Sequence, residues 1–153
     1  MEKDFMKLAL AEAKKAMEKD EVPIGCVIVK DGEVIARGHN QKEKKQSAVF
    51  HAEIVAINRA TRKLGTWHLD DCEIYVTLEP CLMCAGAIIN SRIRKVIFGA
   101  SDPKGGAFGS NTDVKLIPKL NHYPLSQSGL HKEECEELLK TFFRKKRKIS
   151  KEI

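Results

Sequence analysis

No apolar run in this 153-residue chain approaches the ~20 residues that a membrane-spanning helix requires. Met1 to Asp20 alternates charged with apolar side chains, where a signal peptide would carry an unbroken apolar core. A cytoplasmic protein with no membrane partner is expected. Cysteine is also too scarce, and odd in number, for a disulfide framework. There are five, Cys26, Cys72, Cys81, Cys84 and Cys135, which fits a reducing compartment and metal ligation better. The glycine-rich stretch Ala100 to Asp113 lacks the Gly-Lys-Ser/Thr of a P-loop, which excludes nucleoside triphosphate chemistry of that kind. Internal repeats and low-complexity segments are absent. What is present, 42% hydrophobic and 31% charged residues, suits one domain over residues 1–153 built on one core. A net charge of +6 permits a polyanionic partner, although charge alone does not require one.

Taken in order, Asp4 is placed to cap a helix running to about Lys19, since Phe5, Ala9, Ala13 and Ala16 recur at helical spacing. Pro23 breaks it. Ile24 to Val29 and Glu33 to Arg37 read as strands joined by Asp31-Gly32, a pair favoured in type I′ hairpins. Gly38 to Phe50 reads as a polar loop whose length suggests that it faces a substrate. A helix from His51 has Gly65 as its C-terminal cap, Glu73 to Thr77 is a third strand, and Pro80 is the natural first residue of a helix to about Arg92. Lys95 to Gly99 is a fourth strand and Tyr123 to Gln127 a short fifth. The last helix spans about 132–148 and ends in the basic run Arg144 to Lys148. This order predicts helices packed on a mixed sheet, with ligands beyond the strand ends where helices begin.

Two stretches carry chemistry: His51-Ala52-Glu53 and Pro80-Cys81-Leu82-Met83-Cys84. His51, Cys81 and Cys84 supply three zinc ligands, and Glu53 is a carboxylate that is not one of them. A structural zinc site is closed by four protein ligands, whereas three leave a position for water, whose pKa falls from 15.7 toward ~7. Positions i and i+2 do not share a helix face, so His51 and Glu53 can serve one site only beyond a helix start. Cys81 and Cys84, three apart in a first turn, face the same way, and the helix dipole there favours thiolate. A thioredoxin-like redox pair would leave His51 and Glu53 without a role, and a closed structural zinc site would want a fourth ligand. His39, His68, His122 and His131 read as surface or structural residues, and Cys26, Cys72 and Cys135 as buried thiols. Asn40 is either a turn residue or a substrate contact.

The signature is the established mark of zinc-dependent nucleobase deaminases, tRNA adenosine deaminases among them. The wider sequence resembles the bacterial tRNA-specific adenosine deaminases of the cytidine deaminase superfamily. The resemblance runs from about Phe5 to Arg147 and is carried by Glu21 to Gly25, His51 to Glu53, Tyr75 to Ala87, Ser91 to Ile93, Phe98 to Ala100, Asp102 to Lys104 and Asn121-His122. The Cys81 block indicates only the superfamily. Ser91 to Lys104 and Phe142-Phe143-Arg144 point to the tRNA enzymes. The run Ser47-Ala48-Val49-Phe50 departs from the small Pro-Thr-Ala-like run usual before the histidine.

The resemblance implies a three-layer α/β/α cytidine-deaminase-like fold with a central mixed five-stranded sheet. It implies hydrolytic conversion of the wobble adenosine of a tRNA anticodon, chiefly of arginine tRNA, to inosine, by a homodimer with one Zn2+ per subunit. His51, Cys81 and Cys84 would hold the metal, Glu53 would carry the proton, and Asn40, Asp102, Lys104 and Phe143 match positions that contact the substrate. A deaminase of free guanine, cytosine or deoxycytidylate would share the chemistry without RNA, and a noncatalytic zinc-containing RNA-binding module would bind without turnover.

Overall fold

Asp4 accepts a hydrogen bond from Lys7 N at 3.2 Å and so caps α1 (Phe5–Glu18), as its position predicts. The computed structural model describes residues 4–152. After α1 come β1 (Gly25–Lys30) and β2 (Glu33–His39). The turn between them has positive φ at both Asp31 and Gly32, the geometry expected of a type I′ hairpin. A short helix, α2 (Lys42–Lys45), then α3 (Ala52–Leu64), β3 (Cys72–Leu78), α4 (Leu82–Asn90), β4 (Lys95–Ala100), β5 (Leu125–Ser128) and α5 (Lys132–Glu152) complete the order, with a 3₁₀ turn at Val114–Leu116.

The sheet runs β2-β1-β3-β4-β5, with β1 antiparallel to both neighbours and β3, β4 and β5 mutually parallel. This is the expected mixed five-stranded sheet. Alternation along β3 divides its side chains between two layers. Ile74 and Val76 join Ala56, Ala85 and Ile88 of α3 and α4 in the larger apolar core. Tyr75 packs instead with Met6, Ala9 and Leu10 of α1 and Cys135 of α5. Helices therefore cover both faces. The helix pair α3 and α4 shares one face, and Gly38 brings the start of α3 hard against β2, since a Cβ there would lie 2.5 Å from Ala52 O.

Besides strand ends that shift by one or two residues, three features differ from expectation. Pro80 is not the first residue of α4: Cys81 is its N-cap and Leu82 its first helical residue. The polar stretch before His51 is not all loop, because β2 reaches His39 and Lys42–Lys45 forms α2. That turn exists because the buried Glu21 carboxylate receives Glu43 N at 2.9 Å and Lys44 N at 2.8 Å, a cap contributed from 22 and 23 residues away that no local pattern reveals. The final helix also runs past residue 148, to Glu152.

Candidate active site

His51 and Cys81 occupy equivalent places, each the extended N-cap of a helix on the same face of the sheet. An N-cap side chain ordinarily bonds the first free backbone N–H groups, but neither of these does. They meet each other instead. His51 Nδ1 lies 3.7 Å from Cys81 Sγ and 3.6 Å from Cys84 Sγ, and the three atoms lie within 4.8 Å of one another. Ligands at about 2.1 Å (N) and 2.3 Å (S) from a tetrahedral cation sit about 3.6 Å apart, so the spacing fits a shared ion without rearrangement. No other cluster of His, Cys, Asp or Glu among the described residues is arranged to hold a metal.

The electrostatics suit that use. Cys81 is pulled down to about 4, first by the hydrogen bond from the Cys84 thiol and, against burial, by His51, so it is the group's natural thiolate. Burial pushes Glu53 up to about 7, opposed by its own backbone N–H and by His51. Glu53 is 4% exposed and lies in the first turn of α3, directly after the His51 cap. Two residues along from His51, it reaches the same point because α3 begins between them. Beneath, the Cys26 thiol donates to Ala52 O at 3.2 Å, bonding the first residue of α3 to β1.

The four further sequence candidates fall in two neighbouring clefts that share Val22 and Phe143. Asn40 is buried on the wall of one, of about 550 Å³, with Phe142 and Lys146 across it. Its Oδ1 accepts Lys42 N at 3.2 Å and its Nδ2 donates to Val22 O at 3.5 Å, so it also serves as the turn residue that the sequence allowed. Asp102 and Lys104 line the other, of about 750 Å³, with Lys140 and Arg147 of α5. The Asp102 carboxylate is engaged by Lys104 N (3.1 Å) and Gly105 N (3.2 Å), while the Lys104 side chain is exposed. Phe143 is 44% exposed. Phe50 is half-buried, with its carbonyl accepting Gln41 N at 3.0 Å. Neither cleft is lined by the metal-ligand group itself.

Two residues escaped sequence reasoning. Glu21 and Glu79 are 1% and 2% exposed, and both spend their carboxylates on backbone N–H groups of the segments that carry Asn40, Asp102 and Lys104. The available signal was an acid beside apolar residues at the end of an element, with proline one or two places on.

Over residues 1–147 the chain matches the MafB19-like deaminase family. It is 51% identical over 147 residues to the tRNA-specific adenosine deaminase of Bacillus subtilis (strain 168), covering 96% of this chain and 91% of that one. A solved tRNA:A34 deaminase, studied for A-to-I editing at the wobble position of transfer RNA, is 48% identical. It superposes with a TM-score of 0.83 over 88% of this chain and 98% of its own. The guanine deaminase of Nitrosomonas europaea, at 24% identity and TM-score 0.78 over 90% of this chain and 82% of its own, shares the fold. The chain belongs to the MafB19-like deaminases and, within them, to the tRNA-specific adenosine deaminases.

Proposed function

We propose that this protein hydrolyses adenosine to inosine at the wobble position of a tRNA anticodon, chiefly that of arginine tRNA, with Glu53 as its proton carrier. The observation that carries this reading is the group of three ligand atoms on His51, Cys81 and Cys84, all within 4.8 Å of one another, with the buried Glu53 carboxyl in the first turn of the helix that His51 caps. His51, Cys81 and Cys84 would hold zinc, which supplies the Lewis acidity that makes water a nucleophile at neutral pH. A carboxyl near pH 7 can both take and return a proton within one turnover. Glu53 accepts one proton from the attacking water and passes it to N1 of adenine as oxygen adds at C6, then takes the proton of the new C6 hydroxyl and delivers it to the amino group, which leaves as ammonia as the C6 carbonyl forms. Its burial keeps bulk water from short-circuiting the transfer.

The clefts suit a splayed RNA loop. An adenine within a duplex is out of reach, whereas anticodon bases are open to stacking and edge hydrogen bonds. Exposed Phe143 offers a stacking face, Asn40 a polar edge, and Lys104, Lys140 and Arg147 positive charge for phosphates. A homodimer is supported by Leu82 and Met83, large apolar side chains left 60% and 37% exposed between the two cysteines, where a second copy would cover them.

The test offers zinc-loaded protein an arginine-tRNA anticodon stem-loop beside free adenosine, guanine, cytidine and deoxycytidylate, following inosine and ammonia. Inosine at the wobble position alone supports the proposal. Turnover of a free base or nucleotide with the RNA untouched would retain Glu53 and the ligands and replace the substrate.

A further inference from the structure

The loop from Asp102 to Ser110 folds around one side chain. Glu79, which stands two residues before Cys81 and is 2% exposed, receives Asp102 N at 3.1 Å and the Ser110 hydroxyl on Oε1. On Oε2 it receives Phe108 N at 2.9 Å and Ser110 N at 3.2 Å. The fit leaves no slack, because a Cβ on Gly106 would lie 2.3 Å from the Glu79 carboxyl carbon. Next to it Ala107 N donates to Pro80 O at 2.9 Å, and Gly106 forms a bridge with Cys81 itself. The loop is therefore fastened to the residues that open α4.

At its exposed tip the same loop carries Lys104. The Lys104 backbone is fixed on both sides, its N–H on Asp102 Oδ1 and its carbonyl accepting Asn111 Nδ2 at 2.6 Å. Its side chain stands at the cleft shared with Lys140 and Arg147. A carboxylate without a cationic partner among the described residues, buried to this degree, is costly, and four donors offset that cost. A loop needed only as a connection would not require it.

Given the RNA substrate proposed above, on which the inference rests, we infer that Glu79 is a positioning residue. It sets the distance between Lys104, which grips a substrate phosphate, and the Cys81 end of the reaction centre. All four partners are donors, so only an acceptor satisfies them. Glutamine, nearly the same shape, loses at least one backbone bond, because a side-chain N–H2 cannot receive Asp102 N or the two N–H groups opposite.

The experiment is a double-mutant cycle on the zinc-loaded chain with the anticodon stem-loop, using Glu79→Gln, Lys104→Ala and the pair. The expected result is that Glu79→Gln raises KM about tenfold through lost binding, with kcat changed by less than about threefold and zinc content unchanged. Once Lys104 is alanine, the same change should add less than about a twofold effect, since the residue through which Glu79 acts is already gone. Effects that multiply, or an unchanged KM, would overturn the inference, because a merely structural role persists without Lys104. Ser110→Ala, which removes one donor and leaves the carboxylate, gives the same pattern in weaker form if Glu79→Gln folds poorly. Amide hydrogen exchange separates this inference from the substrate assignment. Wild-type protein that ignores the stem-loop refutes the assignment, while Asp102, Phe108 and Ser110 amides that stay fully protected in Glu79→Gln refute the latch whatever the substrate.

Discussion

His131 Nε2 lies 2.7 Å from Asp4 Oδ2, so the turn that opens α5 is bonded to the residue that caps α1, 127 positions earlier. His131 is held in the left-handed region (φ +54) and its Nδ1 faces Glu134 at 3.1 Å. The bond to Asp4, against the opposing effect of burial, raises its pKa above 6.5. Burial raises Asp4, but the bonds from His131 and Lys7 N outweigh it and leave its pKa below 3.8.

The consequence is a window of stability. The raised histidine contributes fully below its unfolded pKa of about 6.5, and the contribution disappears as pH rises through the higher folded value. The depressed aspartate contributes above about 3.8 and loses its contribution as pH falls through the lower folded value. Both are present between. His131→Gln should therefore cost about 0.5 kcal/mol near pH 5, a figure discounted for the pair's exposure, and almost nothing near pH 8. Urea midpoints of the two proteins at both pH values measure it, and a difference that grows with pH contradicts it.

Replacing Glu53 should separate metal from chemistry. It is the proposed proton carrier and is not among the three clustered ligand residues, so Glu53→Ala should bind zinc at the same stoichiometry and lose at least about a hundredfold in turnover. Metal analysis and single-turnover inosine formation on one preparation give both numbers. A variant with near-native turnover would remove Glu53 from the mechanism.

The legibility of the sequence followed the range of the interactions. His51, Cys81 and Cys84 were readable because each half of the group is fixed locally, by spacing and by a helix start. The α1 cap at Asp4, the Asp31-Gly32 turn and the Gly65 cap, with its φ of +70, are likewise decided within a few residues. What was missed depends on partners far apart in the chain. The turn α2 forms under a carboxylate 22 residues away, at Glu21, and the Asp102 to Ser110 loop is shaped by one at Glu79. Helical spacing reports which face is apolar, not which distant N–H groups a buried acid will collect. Pro80 misled for a related reason. Proline favours a first helical turn in general, but here Cys81 takes the N-cap so that its thiol can face His51.

The cysteines should differ in reactivity when zinc is removed. Cys81 is half-exposed, whereas Cys26, Cys72, Cys84 and Cys135 are buried. Burial also pushes the Cys135 thiol up to about 12 and raises Cys26 and Cys72. Chelated protein treated briefly with iodoacetamide should carry its first adduct on Cys81, and restoring zinc should suppress it. Peptide mass mapping reads the site directly. First modification at Cys26 or Cys135, or labelling of Cys81 that zinc does not slow, would contradict the ligand assignment.

The basic end of α5 is not uniform, and its residues should not contribute equally to RNA binding. Arg144 faces Glu137 at 3.4 Å, and Lys146 is paired with Asp20 at 2.6 Å while its ammonium sits 5.6 Å from the Phe142 ring centroid. Arg147 lines the cleft that holds Lys104 and has no acidic partner among the described residues. A phosphate contact releases counterions, lowering the slope of log affinity against log salt by about 0.7 for each contact to single-stranded RNA. Arg147→Ala should therefore weaken stem-loop binding and flatten that slope by close to one contact, while Arg144→Ala changes the slope little. Replacing Arg144, Lys145, Lys146 and Arg147 together should flatten it further without altering zinc content. Titrations across a salt series distinguish the residues, because a helix end that is merely solvated gives the same slope in every variant. Equal slopes throughout would place the RNA elsewhere on the protein.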